Sequence, residues 1–551
     1  MQEEACLVTT GTASAEDERL RRLLEFFGVE FVWLTPNELN SPLLNGRARV
    51  LCSAQAFSEI RNELRADRIH SVFVYSTPSS SDERCDATSL TIADDPVAGA
   101  MSGLRIATRA VGRLAPLGNA LRGEPLISRG EAAVFVRSDV RGVPVFFSLG
   151  TELVDLDGEL TSPNFDVRDH LLAAVPVVMY LRWAFPKTAW HAAETGACLV
   201  IDDPLVRPRY GFIRFGEMQR LMERYNFSAC VAFIPWNWRR NDPDTVRLFK
   251  ESGGRYSVAV HGCDHTAAEF GSEDPAELRP LVVKAANRMA AHAKESGLEH
   301  ARVMVFPQGV FSEAAIAELK QGGFEAAVNT DVKAVGRSTS KVTIADVWNT
   351  ALMRYADFAI YTRRYPRQRV ENLAFDILLG KPCLIVIHHD FCGDGYKQLI
   401  EFVQQVNALK APLAWRSLGD VLARSYRMQE TSAEEVQLEM FGNRIVLENK
   451  SELTRRFHVR RQEREASQLL VVRLNGANVP CRHEENFLRL DITLAPNESK
   501  TVELVFQSNG DSSRNDYQSA PAMKARLRRY LCEVRDNYVM PIKSRLARAA
   551  R

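Results

Sequence analysis

The chain has no Cys-x-x-Cys pair, no excess of either charge and no apolar run long enough to cross a bilayer, and each absence removes a class of protein. Its ten cysteines (Cys6, Cys52, Cys85, Cys198, Cys230, Cys263, Cys383, Cys392, Cys481, Cys532) are scattered, several of them inside apolar strand-like runs. That usage predicts reduced, buried thiols rather than a disulfide framework. The 70 Lys and Arg almost cancel the 69 Asp and Glu, so no global field points to nucleic acid or to a strongly acidic partner. The N-terminus, MQEEACLVTTGTASAEDERL, is acidic where a signal peptide would be basic and then apolar. The expectation is a cytoplasmic protein, with attachment to the inner face of the membrane as the alternative. The most apolar segment, 171-LLAAVPVVMYLRWAF-185, contains Pro176 and Arg182 and falls short of the ~20 residues of a membrane span. It reads as a buried or interfacial helix.

What is present is a regular alternation of strand and helix signals over 551 residues, enough for two to four domains. Residues 1–190 alternate strand-like runs (30-EFVWL-34, 48-ARVLCS-53, 71-SVFVYS-76, 132-AAVFVRS-138, 145-VFFSLG-150) with helical patterns such as 16-EDERLRRLLEFF-27 and 55-QAFSEIRNELRA-66. This predicts an open α/β domain of flavodoxin- or Rossmann-like type. No G-x-G-x-x-G follows a strand there, so a dinucleotide site has no support.

From 197 to 426 short apolar runs alternate with amphipathic helices, which predicts a (β/α) barrel, complete or distorted. After about 430 the period drops to two, with Asn475-Gly476 as a turn signal, and a small β-sandwich is expected over 430–507. Residues 508-SNGDSSRNDYQSAP-521 read as a polar linker. The tail 523–551 carries nine basic residues against two acidic ones, interleaved with Leu527, Tyr530, Leu531, Val534, Tyr538 and Val539. It is either a solvated helix with one docking face or a contact for an anionic membrane surface or partner.

Polar residues concentrate where the barrel strands should finish. These are Asp202-Asp203-Pro204, 235-PWNW-238, His261 and His265 in 261-HGCDHT-266, 307-PQG-309, Asn329 and Asp331, and His388-His389-Asp390. Strand ends of a parallel barrel converge on one mouth, so these groups become neighbours there. Singly each has an ordinary structural explanation, as a turn, a cap or a rim residue.

In this order the motifs resemble those of the polysaccharide deacetylase family (carbohydrate esterase family 4, the chitooligosaccharide deacetylase homology domain). The Asp-Asp motif matches 199-LVIDDP-204, the His-x-x-x-His motif matches 261-HGCDH-265, the Pro-containing motif resembles 305-VFPQG-309, and the closing strand-His motif resembles 384-LIVIHHD-390. The arrangement is closer to divergent bacterial members with extra domains than to the secreted chitin deacetylases. Three positions depart from the family pattern. Pro204 stands for a glycine, Gly262 for a Ser or Thr, and Val305 for the arginine that orients the catalytic carboxylate. Arg207, Arg209 and Arg354 are the candidates to replace that arginine in space.

The resemblance implies a metal-dependent deacetylase. Asp203, His261 and His265 would be ligands of a divalent ion, Zn2+ first, with Co2+, Ni2+ or Mn2+ as alternatives. Asp202 would be the general base. Backbone N–H groups near Pro307, Gln308 and Gly309 would hold the oxyanion. A histidine would protonate the leaving amine, His388 because it directly follows Ile387, with His389 as the competing alignment. Trp236, Asn237 and Trp238 are candidates to line a sugar groove, or else pack at the rim. The expected substrate is an acetylated carbohydrate or glycan precursor, N-acetyl before O-acetyl. The alternatives are a non-catalytic glycan-binding or scaffold protein of polysaccharide assembly, and a hydrolase of another non-peptide C–N bond.

Overall fold

A computed structural model describes residues 4–39, 47–77, 83–85, 89–109, 112–115, 123–336, 341–465, 468–507 and 523–543. The linker read at 508–521 and the last residues of the tail, 544–551, lie outside them.

The middle of the chain closes into a barrel. Seven strands, Thr195–Asp202, Ala229–Phe233, Tyr256–His261, Ala301–Val305, Ala326–Asn329, Ile360–Thr362 and Cys383–Ile387, follow one another in chain order, all parallel. The ring is completed just past the sixth strand. There the Arg364 N–H donates to the Leu384 carbonyl, and the Val386 N–H to the Arg364 carbonyl, each at 2.9 Å. A short strand, Leu413–Trp415, pairs with the start of the first strand at Thr195–Ala197.

Burial on both faces explains why these strands read as continuous apolar runs. One set of alternate side chains (Cys198, Val200, Cys230, Ala232, Ala259, Val303) fills the bore, with Leu418, Val421 and Leu422 of the Leu418–Ala423 helix packed with them. The other set (Leu199, Ile201, Val231, Phe233, Val258, Val260) meets the surrounding helices.

The N-terminal sheet departs from the expected flavodoxin-like form. Its order is Phe31–Leu34, Ala5–Val8, Ala48–Ser53, Ile69–Tyr75, Val143–Ser148, Ala132–Val140, Glu124–Arg129, Ser89–Ile92, Arg105–Ala107. The first five strands are parallel and the rest antiparallel. The cause is local. Arg141 (φ 58°) and Gly142 (φ 82°) form a two-residue turn, and positive φ at both central positions is the hairpin geometry that sends a strand straight back. The helix Leu171–Ala184 is buried beneath this sheet and the barrel, with Tyr180 donating to or accepting from Ser71 at 2.9 Å. No described helix is long and apolar enough to cross a membrane.

The C-terminal sandwich has one sheet of six strands and one of four. It begins at Arg427–Glu430 and takes one edge strand, His191–Ala192, from the segment before the barrel. Asn475 (φ 48°) and Gly476 (φ 83°) form the expected turn between Leu469–Leu474 and Ala477–Val479. Cys6, Cys52, Cys198, Cys230, Cys263, Cys383, Cys392, Cys481 and Cys532 are free thiols, the first seven of them buried.

Candidate metal centre and active site

The first barrel strand ends in a buried carboxylate. Asp202 is 3% exposed, and both of its oxygens accept from Arg363, at 2.6 Å from Nη1 and 2.7 Å from Nη2. Arg363 stands one residue past the sixth strand, where its backbone N–H donates to the Asn329 carbonyl at 3.0 Å. Burial pushes the Asp202 carboxyl up, but the charge and hydrogen bonds of the Arg363 guanidinium outweigh it and hold the group below its ordinary value. Asp202 is therefore an ionised carboxylate held in one orientation by a planar fork.

Asp203 turns the other way because its backbone is left-handed (φ 84°), a cost that side chains other than glycine bear mostly at functional sites. Its Oδ1 lies 3.2 Å from His265 Nε2 and 3.7 Å from His261 Nε2, and no hydrogen bond satisfies that oxygen. The three potential donor atoms lie within 4.8 Å of one another. His261 Nδ1 faces the Val305 carbonyl at 2.9 Å. A carbonyl only accepts, so Nδ1 carries a proton, and Nε2 is the ring atom turned toward Asp203. Burial drives His265 down to about 4, so it is neutral at pH 7. Two imidazole nitrogens and one carboxylate oxygen without a hydrogen bond, gathered this closely, are a donor set that suits a divalent cation in a three-ligand site. The residues present fit the ion that the motifs imply.

The loop holding the two histidines is braced from beneath by a residue the sequence did not signal. Glu269 accepts backbone N–H groups from Cys263 (2.7 Å), Asp264, His265 and Thr266 (3.2 Å each). Burial nevertheless pushes its pKa up. Asp264 is paired with Lys284 and Arg288, and Cys263 is buried beside Arg288, so both support the loop from outside the site. Gly262, at φ 64°, has no room for a side chain. A Cβ there would stand 2.2 Å from Glu269 Oε1 and 2.4 Å from Pro307 Cγ. Gly262→Ala is expected to cost about 2–4 kcal/mol, from overpacking and left-handed strain. Urea denaturation at neutral pH measures it, and a midpoint equal to wild type would contradict the packing described.

A cavity of about 700 Å³ opens above Asp202, Asp203, His261 and His265. His388 lines it, stacked at 6.2 Å on Tyr365, as do Gln308 and Gly309. Arg109, Asn164, Asp166 and Arg168, from the part of the chain before the barrel, line it as well. His389 points elsewhere, buried between Tyr210 and Phe212 with Nε2 3.5 Å from Asp536.

Of the three residues expected to offer backbone donors, Pro307 has none, and Gly309 spends its N–H on the Phe306 carbonyl at 3.1 Å. That leaves the Gln308 N–H, in a left-handed turn (φ 59°). Trp236, Asn237 and Trp238 are not among the residues lining this cavity. They form a tight turn in which Asn237 is fully buried and bonded to Arg240, and Trp238 stacks under Arg239. The three arginines considered as substitutes are also engaged elsewhere. Arg207 reaches the Arg240 carbonyl, Arg209 the Gly211 carbonyl, and Arg354 lies 3.8 Å from Asp346. The arginine that pairs with Asp202 is Arg363.

The tail also reaches this mouth. Arg529, 6% exposed, holds Nη1 3.9 Å from Asp203 Oδ1 while its Nε and Nη2 are buried without partners.

No family model matches the sequence, and no curated protein matches it. Among solved structures, the chain overlaps the family 4 carbohydrate esterase of Streptomyces lividans at 14% identity and a TM-score of 0.26, over 41% of this chain and 92% of that one. It overlaps the chitin deacetylase of Colletotrichum lindemuthianum at 12% identity and a TM-score of 0.27, over 41% and 87%. It also overlaps the family 4 acetyl xylan esterase of Clostridium thermocellum at 13% identity and a TM-score of 0.24, over 40% and 87%.

Proposed function

We propose that the chain is a metal-dependent hydrolase that removes an acetyl group, N-acetyl in the first instance, from a carbohydrate or glycan precursor. One observation carries the reading. An ionised, doubly hydrogen-bonded carboxylate, Asp202, lies next to the convergent donor set of Asp203, His261 and His265, with His388 on the same cavity.

Asp203, His261 and His265 would hold the ion, and one oxygen with two nitrogens makes Zn2+ the first candidate. When bound, such an ion polarises a carbonyl and acidifies water. The chain's own groups do the rest. Asp202 takes the proton of the attacking water, and Arg363 keeps that carboxylate ionised and aimed while it does so. The Gln308 N–H donates to the oxygen that becomes negative as the acetyl carbon turns tetrahedral. His388, carrying a proton, gives it to the departing nitrogen, so the amine leaves neutral and acetate is the second product. The side of the cavity formed by the N-terminal domain offers Asn164, Arg168 and Ser162 for sugar hydroxyls.

The test is metal content of the purified chain by plasma mass spectrometry, paired with acetate release from N- and O-acetylated glycans, for wild type and His261→Ala. Metal and acetate in wild type, and neither in the variant, are expected. Bound metal with no acetate from any substrate would make the barrel a binding module, and a wild type that takes up no divalent ion would end the metal reading.

A further inference from the structure

The C-terminal helix is amphipathic the wrong way round for a helix packed on a protein. Helical from Met523 to Val534, it passes through a π turn at Arg535–Val539 and continues to residue 543. The face toward the barrel is polar. Glu533 accepts both Nη groups of Arg240, Asp536 accepts from the Tyr210 hydroxyl at 3.1 Å, Asn537 accepts the Gly211 N–H at 2.8 Å, and Arg529 reaches Asp203. The face toward solvent is apolar. Leu527 is 60% exposed, Leu531 59%, Tyr538 65% and Ile542 57%, with Val534 between them. A hydrophobic stripe of this kind left in water on a folded chain marks a binding surface.

Charge says what covers it. Both acidic residues of the helix, Glu533 and Asp536, are turned inward and paired. Among the described side chains, the charged groups left on the exposed flanks of the stripe are Arg526, Arg528 and Lys543, while Arg535 pairs with Asp536 at 2.7 Å. Among the described residues no carboxylate pairs with Arg526, Arg528 or Lys543. A second copy meeting this face across a two-fold axis would bring like charges together. A bilayer with anionic headgroups satisfies both features at once, taking the apolar stripe to the acyl boundary and the arginines to the phosphates.

We propose that this outward face docks on an anionic membrane surface while the inward face stays fastened to the barrel. The helix then lies in the interfacial plane, since it is too polar on one side to cross. The mouth of the barrel sits within about one helix diameter, ~10–12 Å, of the lipid. The inference is independent of the hydrolase reading.

The test is co-sedimentation of the full chain with phosphatidylcholine vesicles, with and without phosphatidylglycerol. Binding only to the anionic vesicles, weakening as salt is raised, is expected. The Leu531→Glu/Tyr538→Glu double variant should abolish it. Arg526→Gln/Arg528→Gln should weaken it about thirtyfold, at about 1 kcal/mol per basic residue. All four side chains are solvent-exposed, so thermal unfolding midpoints should stay at the wild-type value. Three results would overturn the proposal: no binding by wild type, equal binding by the variants, or a wild-type dimer in light scattering that Leu531→Glu/Tyr538→Glu dissociates.

Discussion

Asp202→Asn is expected to lower acetate release by about a thousandfold while leaving metal stoichiometry unchanged, because it removes a proton acceptor but no ligand. The amide is nearly isosteric and stays in the grip of Arg363, so a collapsed site is not the expected cause of the loss. Metal content and the unfolding midpoint of the same preparation check that point. The pH profile gives a second readout. In the proposed role Asp202 would act when ionised, and its pKa is held below the ordinary carboxylate value by Arg363 against the opposing effect of burial. The acid limb due to this group is therefore expected below the usual aspartate range. Activity lost with a midpoint several units higher would have to come from another group. Retention of wild-type turnover in Asp202→Asn would remove this residue from the chemistry altogether.

Much of the centre was legible because parallel barrels place their polar residues by a simple rule. Asp202, Asp203, His261 and His388 each stand at or next to the end of a buried strand, with His265 four residues beyond His261, and closure of seven such strands brings them together. Arg363 obeys the same rule, yet it was hidden. Nothing in 360-IYTRRYPRQR-369 says which arginine turns inward: Arg363 pairs with Asp202, Arg364 with Asp376, and Arg367 stacks on Tyr365. Only the sixth strand's position in the closed ring separates them. Glu269 was hidden for a different reason, since its partners are backbone N–H groups, which have no sequence signature. The half-antiparallel N-terminal sheet did have a signal, Arg141-Gly142 between two apolar runs, outweighed by the α/β alternation before it. The tail's docking could not be read, because the intervening linker leaves open where the helix lands.

Arg363→Ala tests whether the missing motif arginine has been replaced from across the barrel. The substitution leaves a carboxylate that is 3% exposed without its cation, and breaking a buried pair from one side costs about 3–5 kcal/mol. The unfolding midpoint in urea should drop accordingly. With the guanidinium gone, burial is the leading influence on Asp202 and pushes its pKa upward. The acid limb of activity moves to higher pH, and the stability loss shrinks as the pH is lowered and the carboxylate is neutralised. Arg363→Lys keeps the charge but not the fork, so it should recover part of the stability and little of the turnover, as expected where two parallel hydrogen bonds set the orientation. The double variant Asp202→Asn/Arg363→Ala separates the pair from its parts. Once the carboxylate is neutral, removing the arginine should cost about 2–3 kcal/mol less than it does in wild type, a coupling expected only of groups in direct contact. Additive effects would mean that the ion pair does not form in solution, and Asp202 would then lack the orienting partner on which its role as base depends.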